Sequence, residues 1–286
     1  MRYYISHDIR YSYDRPVFIE PHTVRLRPFS NSVQQVIQFT LGVVPAPAGI
    51  FEHIDYESNN TATVWFDGYH PAISFSIRSE VEVAAVDTFN YIVTGNDFLT
   101  LPAAYPDSYR QNLKPYLYRH YASPELDEFI RPVIEENKRE TVPFIAGLNS
   151  YIYGIFERVV REEGAPMAPL KTIAEGRGSC RDLALLFIEG CRAAGLATRF
   201  VSGYMWSENN NNGKRHLHAW AEVYVPGAGW QGFDPSIGLA VGDKHVAVAA
   251  AAESAGASPV SGTFRGTGVS SRLEYDVTIN TSPDLT

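Results

Sequence analysis

Cys180, His218 and Asp234 are the side chains of this sequence whose types and neighbours can do chemistry together. A thiolate attacks a carbonyl carbon when a base takes its proton and later hands a proton to the leaving group, and histidine is tuned for that exchange near neutral pH. A third group, usually a carboxylate, holds the imidazole in place. Cys180 stands in Gly176-Arg-Gly-Ser-Cys-Arg-Asp182, where Ser179 is a good N-cap and Asp182, three residues on, completes a capping-box pattern. The helix is therefore expected to start immediately before the cysteine. A thiol in that first turn faces unpaired backbone N–H groups and the positive end of the helix dipole, which favour thiolate.

The elements that must position these groups follow from periodicity. From Cys180, the residues Ala184, Phe187, Ile188 and Cys191 recur at helical spacing, and Gly195 is the natural stop. The stretch Leu217–Val225 alternates as a strand, with His216, His218, Trp220, Glu222 and Tyr224 on one face. The turn Pro226-Gly-Ala-Gly229 leads into a return strand, Trp230–Asp234. Directly opposed residues of an antiparallel pair share a face, so Asp234 stands beside His218 only if that turn has odd length. A five-residue loop Val225–Gly229 sets Tyr224 against Trp230 and Asp234 against Trp220, diagonal to His218; a four-residue loop Pro226–Gly229 points Asp234 away.

Ahead of the helix, residues 1 to about 92 have period two and are rich in Tyr, Val, Ile and Phe. Strands are expected at Tyr3–Tyr13, Val33–Leu41, Thr61–Phe66 and Ser74–Val83, in an antiparallel sandwich or half-barrel of about six strands. Tyr109–Tyr121 reads as a poorly periodic connector. Ser123-Pro124 caps one helix, and Thr141 or Pro143 to Glu163 reads as a longer one. Beyond the helix of Cys180, Ala197–Met205 reads as a strand and Ser207–Gly213 as a polar loop. Ala247–Gly268, poor in apolar bulk, reads as a mobile excursion, and Leu273–Ile279 as the last strand.

Composition narrows the function classes. A net charge of -8 over 286 residues, with no basic stripe, argues against nucleic acid and anionic membrane surfaces as partners. Two cysteines are too few for a disulfide framework, and at ~1.5 Å per residue they lie roughly 16 Å apart on one helix, so both are free thiols. The first nine residues alternate and lack the apolar core of a signal peptide, and no apolar run approaches the ~20 residues of a membrane span. A cytoplasmic location is the expectation; no oligomeric state is readable. His216 is read as a substrate-side or surface residue. A zinc site built from Cys180, His216, His218 and Asp234 is set aside because no second cysteine joins it. Arg181 and Asp182 read as structural. Trp206, Trp220 and Trp230 read as packing residues that could wall a substrate tunnel.

Four segments carry a family likeness: Gly178-Ser-Cys-Arg-Asp182, Arg199-Phe-Val-Ser-Gly-Tyr204, His218-Ala-Trp-Ala-Glu-Val-Tyr224 and Gly229-Trp-Gln-Gly-Phe-Asp-Pro235. Their order and spacing over about sixty residues resemble the transglutaminase-like superfamily, in particular its bacterial branch of candidate cysteine proteases. The resemblance implies Cys180 as nucleophile, His218 as base and Asp234 as orienting acid, with no metal and no organic cofactor. It implies an α+β fold, in which an N-terminal antiparallel β-sandwich precedes a papain-like core whose nucleophile helix packs on an antiparallel sheet. Residues 1–105 are then a β-rich accessory domain and 106–286 the catalytic domain, helical over 123–195 and sheet over 197–286. The implied activity is cysteine-dependent acyl transfer on a protein or peptide substrate, hydrolytic as a protease or amidase. Transfer to an amine, as in a protein-glutamine transglutaminase, and a non-catalytic binding module are the alternatives. The Ala/Ser/Gly-rich tract after Asp234 matches no motif of the family.

Overall fold

The computed structural model describes residues 1–85, 87–161, 164–207 and 216–282. An N-terminal β-sandwich and an α+β core lie against each other. In the sandwich, β1 (Arg2–Ile19) runs between β6 (Tyr69–Val83) and β16 (Ser271–Ser282), with β3 (Gln34–Val44) outside β6. The facing sheet contains β2 (His22–Val24), β4 (Gly49–Ile54) and β5 (Asn60–Trp65). Alternation has its expected consequence: Ile9, Val17, Ile19, Val64, Ile73, Phe75 and Ile77 turn inward and close one apolar core.

The sandwich is completed from the far end of the chain, which corrects the division at residue 105. Strands β14 (Val260–Ser261), β15 (Phe264–Arg265) and β16 pair with β2 and β1, so residues 260–282 belong to the accessory sheets and not to the catalytic sheet. β1 needs a partner on each edge, and β16 supplies twelve paired positions from Arg2↔Ser282 to Tyr13↔Ser271.

The helical layer comprises α1 (Asp107–Leu117), α2 (Pro124–Glu136), α3 (Thr141–Ile155), α4 (Pro169–Glu175) and α5 (Cys180–Ala193). The connector expected at Tyr109–Tyr121 is largely α1, which buries Leu113 and tolerates Pro115 only in its last turn. Helix α3 stops short of the expected Glu163 because Phe156 is extended and 157–158 form a two-residue strand, β7, paired in parallel with β8 (Arg177–Gly178). Glu162 and Glu163 themselves lie outside the described residues, as does nearly all of the expected polar loop Ser207–Gly213.

The core sheet has the order β12-β11-β10-β9-β13, antiparallel throughout, from β9 (Thr198–Met205), β10 (His218–Val225), β11 (Gly229–Asp234), β12 (Leu239–Ala240) and β13 (His245–Ala251). Helix α5 lies on one face, where Leu183, Leu186, Phe187 and Ile188 are at most 1% exposed; each contributes roughly 1.5–3 kcal/mol by burial. Tyr204, Val246 and Val248 pack on the sandwich residues Tyr3, Ile5, Val81, Val277 and Ile279. The tract read as a mobile excursion therefore begins as buried strand: Ala249 and Ala250 are fully buried in β13. Small side chains here mean close packing between sheets. Within the core sheet itself Gly203 leaves no room for a side chain, since a Cβ on it would lie 2.2 Å from the Val246 carbonyl oxygen and 2.6 Å from the Trp220 ring.

Candidate active site

Helix α5 starts where the sequence requires. The Asp182 carboxylate accepts from the Ser179 N–H (2.8 Å) and hydroxyl (2.7 Å), and also from the Met167 N–H (2.7 Å) and the Arg161 guanidinium (2.5 Å). Burial alone would raise the Asp182 pKa, but these donors outweigh it and hold the group below the usual carboxylate range. Asp182 thus does more than cap: it ties Arg161 and Met167 to the first turn that carries Cys180.

Strand β10 begins at His218, and the turn after it is odd. Tyr224 stands opposite Trp230 and Val225 opposite Gly229, leaving Pro226, Gly227 and Ala228 between them. The Asp234 Oδ2 consequently reaches His218 Nε2 at 2.5 Å. His218 is also hydrogen-bonded to the Cys180 thiol; with Nε2 turned to Asp234, it is Nδ1 that faces sulfur. All three sequence-derived residues come together at the junction of α5, β10 and β11.

The electrostatics follow from burial and neighbours. Burial pushes the Cys180 thiol up, but the His218 imidazole and the Ala219 N–H outweigh both burial and the opposing charge of Asp234, so the thiol titrates below its ordinary value. For His218 burial disfavours the imidazolium, while Asp234 and Cys180 stabilise it and raise its pKa well above normal. Asp234, fully buried, is held far below the carboxylate range because His218 and His245 outweigh its desolvation. The Cys180 and His218 shifts both run in the direction that favours a thiolate beside an imidazolium. Cys191 is fully buried away from the site, and its thiol is pushed well up by desolvation.

His245 and Ser236 belong to the site and were not read from the sequence. His245 Nε2 lies 3.2 Å from the same Asp234 oxygen that meets His218, and Oδ1 accepts from the Ser236 N–H (3.0 Å) and hydroxyl (2.7 Å). Only the Asp-Pro-Ser turn hinted at Ser236; His245 comes from β13, two strands beyond β10 and outside any periodic signal around the motif. His218, Asp234 and His245 bring ligand-type atoms within 4.8 Å of one another. The carboxylate's lone pairs are engaged by four donors, so the cluster is a closed hydrogen-bonded network rather than an open cradle for an ion. His216 stands outside it, with Nδ1 2.5 Å from the Tyr275 hydroxyl of β16.

A cavity of about 400 Å³ opens in front of Cys180 and His218. The core contributes Phe200 and Leu217, and the sandwich contributes Ile9 and Tyr11 from β1 and Leu273 and Tyr275 from β16. No tryptophan lines it among the described residues, which corrects the expected tunnel wall. Trp220 is buried beneath the sheet with Val201 and Ala250, Trp230 is covered by the Arg199 guanidinium at 4.3 Å, and Trp206 lies under Lys244.

Two family models match the chain: the bacterial transglutaminase-like N-terminal region over residues 3–82 and the transglutaminase-like superfamily core over residues 136–235. Between them they span well over half of it. The chain belongs to the transglutaminase-like superfamily. The core match ends one residue beyond Asp234, and the N-terminal match ends one residue before the close of β6. Relatives of similar length include an uncharacterised protein of Mycobacterium leprae, 22% identical over 268 residues and covering 92% of this chain and 93% of that protein. One from Mycobacterium tuberculosis H37Rv is 24% identical over 290 aligned positions, covering 97% and 92%. Among solved structures, a candidate cysteine protease from Cytophaga hutchinsonii shares the fold with a TM-score of 0.72 at 21% identity, covering 100% of this chain and 92% of that one. Within this family architecture, no helix among the described residues is long and apolar enough to cross a membrane.

Proposed function

We propose that this transglutaminase-like chain is a cysteine-dependent acyl-transfer enzyme that hydrolyses peptide or carboxamide bonds. The observation that supports this reading above the others is the order of hydrogen bonds through one imidazole: Asp234 Oδ2 to His218 Nε2, then His218 Nδ1 to Cys180 Sγ. Cys180 Sγ adds to the carbonyl carbon while its proton rests on His218. The tetrahedral oxygen is met by the Cys180 backbone N–H, which has no intrahelical acceptor at the first position of α5. Collapse breaks the C–N bond, and the amine leaves with the proton from His218. Water then attacks the thioester, His218 takes its proton, and the thiol is restored as the carboxylic acid departs. Hydrolysis is taken over amine transfer because water alone completes it, whereas transfer needs a bound amine and the exclusion of water from the thioester.

The test is alkylation of Cys180 by iodoacetamide between pH 5 and 9, read by peptide mass spectrometry in wild type and His218→Ala, with Cys191 as internal control. The reading requires rapid alkylation of Cys180 near pH 6, far ahead of Cys191 and dependent on His218. Equal and slow alkylation of both cysteines at every pH would overturn it. With the nucleophile in hand, peptide and glutamine substrates separate hydrolysis from amine transfer by whether acid or new amide accumulates.

A further inference from the structure

We propose that His245 is a positioning residue for the acyl-transfer site, acting through Asp234 to set the alkaline limit of the Cys180–His218 ion pair. The inference rests on the reading of Cys180 as nucleophile and adds to it a fourth side chain.

The hydrogen bonds fix the state of the ring. Asp234 Oδ2 only accepts, so both imidazoles that meet it, His218 at 2.5 Å and His245 at 3.2 Å, present N–H at Nε2. His245 is 3% exposed, and its Nδ1 is buried with no hydrogen-bond partner. The ring therefore meets the carboxylate as an N–H donor at Nε2 while its Nδ1 is left without a partner. An orphaned buried nitrogen is costly, and a residue that only filled space would avoid it. Its place is held by β13, where His245 pairs with Met205 and donates its backbone N–H to Gly242, and by Trp220, whose ring meets it edge-on at 5.2 Å.

A second donor on Oδ2 draws electron density from the oxygen that stabilises the His218 imidazolium. The imidazolium then remains acidic enough to protonate a leaving amine, while the carboxylate cannot swing away from Nε2. Among the described residues, the charged and titratable groups coupled to this cluster are Asp234 of β11, His218 of β10 and Cys180 of α5. Met205 on β9 is uncharged, and the adjacent Lys244 turns its ammonium over Trp206.

The experiment compares wild type with His245→Leu, His245→Asn and His245→Gln. In each, the pH profile of Cys180 alkylation is measured together with the ¹⁵N shift of the His218 imidazole and a thermal melt. Leu removes the donor, Asn carries an amide too short to reach Asp234, and Gln sets an N–H close to the position of Nε2. The expected result is an alkaline limb raised by about half a pH unit or more, roughly a threefold change in imidazolium population, in the Leu and Asn variants and restored in Gln. The acid limb, where Cys180 loses its proton beside an imidazolium already formed, stays in place. An unmoved alkaline limb in whichever donor-lacking variant folds, with only the melting temperature lowered, would overturn the proposal and leave the nucleophile reading intact. Absence of any ion-pair limb in wild type would overturn that reading itself.

Discussion

Tyr224 stands directly opposite Trp230 across the turn that joins β10 to β11. This pairing decides whether the site exists, because the same register carries on through Ala221 and Phe233 and sets Asp234 beside Trp220, diagonal to His218. A turn longer or shorter by one residue would send the carboxylate to the other face of the sheet.

Replacing the carboxylate without moving the backbone isolates its charge. Asp234 accepts from four donors, so an amide there meets an N–H or O–H donor with its own NH2 whichever way it is turned. Asp234→Asn should lower both turnover and the alkylation advantage of Cys180 by about 10²-fold or more, by analogy with the loss of orientation in serine triads. The measurement is the second-order rate of alkylation at pH 6; a rate within threefold of wild type would show that Asp234 does not hold the imidazole.

The start of α5 was legible because it is set by neighbours in sequence: Ser179 and Asp182 bracket Cys180, and the apolar stripe runs on from there. The parity of the return strand was not fixed by sequence alone, which left four- and five-residue turns open; the fold closes it with Pro226, Gly227 and Ala228 between the paired Val225 and Gly229. What escaped is governed by distance along the chain. Alternation marks Leu273–Ile279 as a strand but says nothing about its partner, which is β1, more than 250 residues earlier. Small residues at 249–251 read as slack, although in the fold they allow β13 to fit between α5 and the sandwich. His245 has no local signal at all, because its contact with Asp234 is made by the tertiary arrangement of β11 and β13.

Fragments cut at residue 105 should not fold independently. The piece 1–105 would leave the whole β16 edge of β1 unpaired, and the piece 106–286 would carry β16 with Val277 and Ile279 exposed. Each unpaired edge also invites aggregation. Expressed apart, both pieces are expected to be insoluble or rapidly proteolysed, whereas a stable, monodisperse 106–286 fragment with native-like near-UV circular dichroism would contradict the shared sheet.

The cavity before Cys180 is walled by both halves of the molecule, so a substitution in the sandwich should alter selectivity without touching Cys180. Leu273→Ala on β16 and Tyr11→Ala on β1 remove apolar surface from the donor side. Each should slow labelling of Cys180 by a peptidyl acyloxymethyl ketone by about tenfold or more, the loss of an apolar contact of ~1–3 kcal/mol, and leave iodoacetamide labelling unchanged. Equal slowing of both reagents would mean that the helix or the ion pair had been disturbed.

The contact between sandwich and core should make the protein sensitive to mild acid through His7. This side chain of β1 is 3% exposed, its Nδ1 lies 3.0 Å from the Tyr204 hydroxyl of β9, and burial lowers its pKa to about 4, with Asp8 offsetting only part of the effect. The unfolded chain binds this proton below about pH 6.5 and the native protein only near pH 4, so stability falls as the pH drops through that interval. The loss is about 2 kcal/mol by pH 5. His218 does not add to this slope: its pKa is raised, so its contribution is fully present below about 6.5 and is lost only as the pH rises. The depressed carboxylates of Asp182 and Asp234 act lower, below about pH 4. Urea unfolding at pH 4.5, 5.5, 6.5 and 7.5 should therefore show a stability gradient that His7→Asn, which keeps a polar group facing Tyr204, largely removes. If the variant retained the wild-type gradient, the proton responsible would have to bind elsewhere.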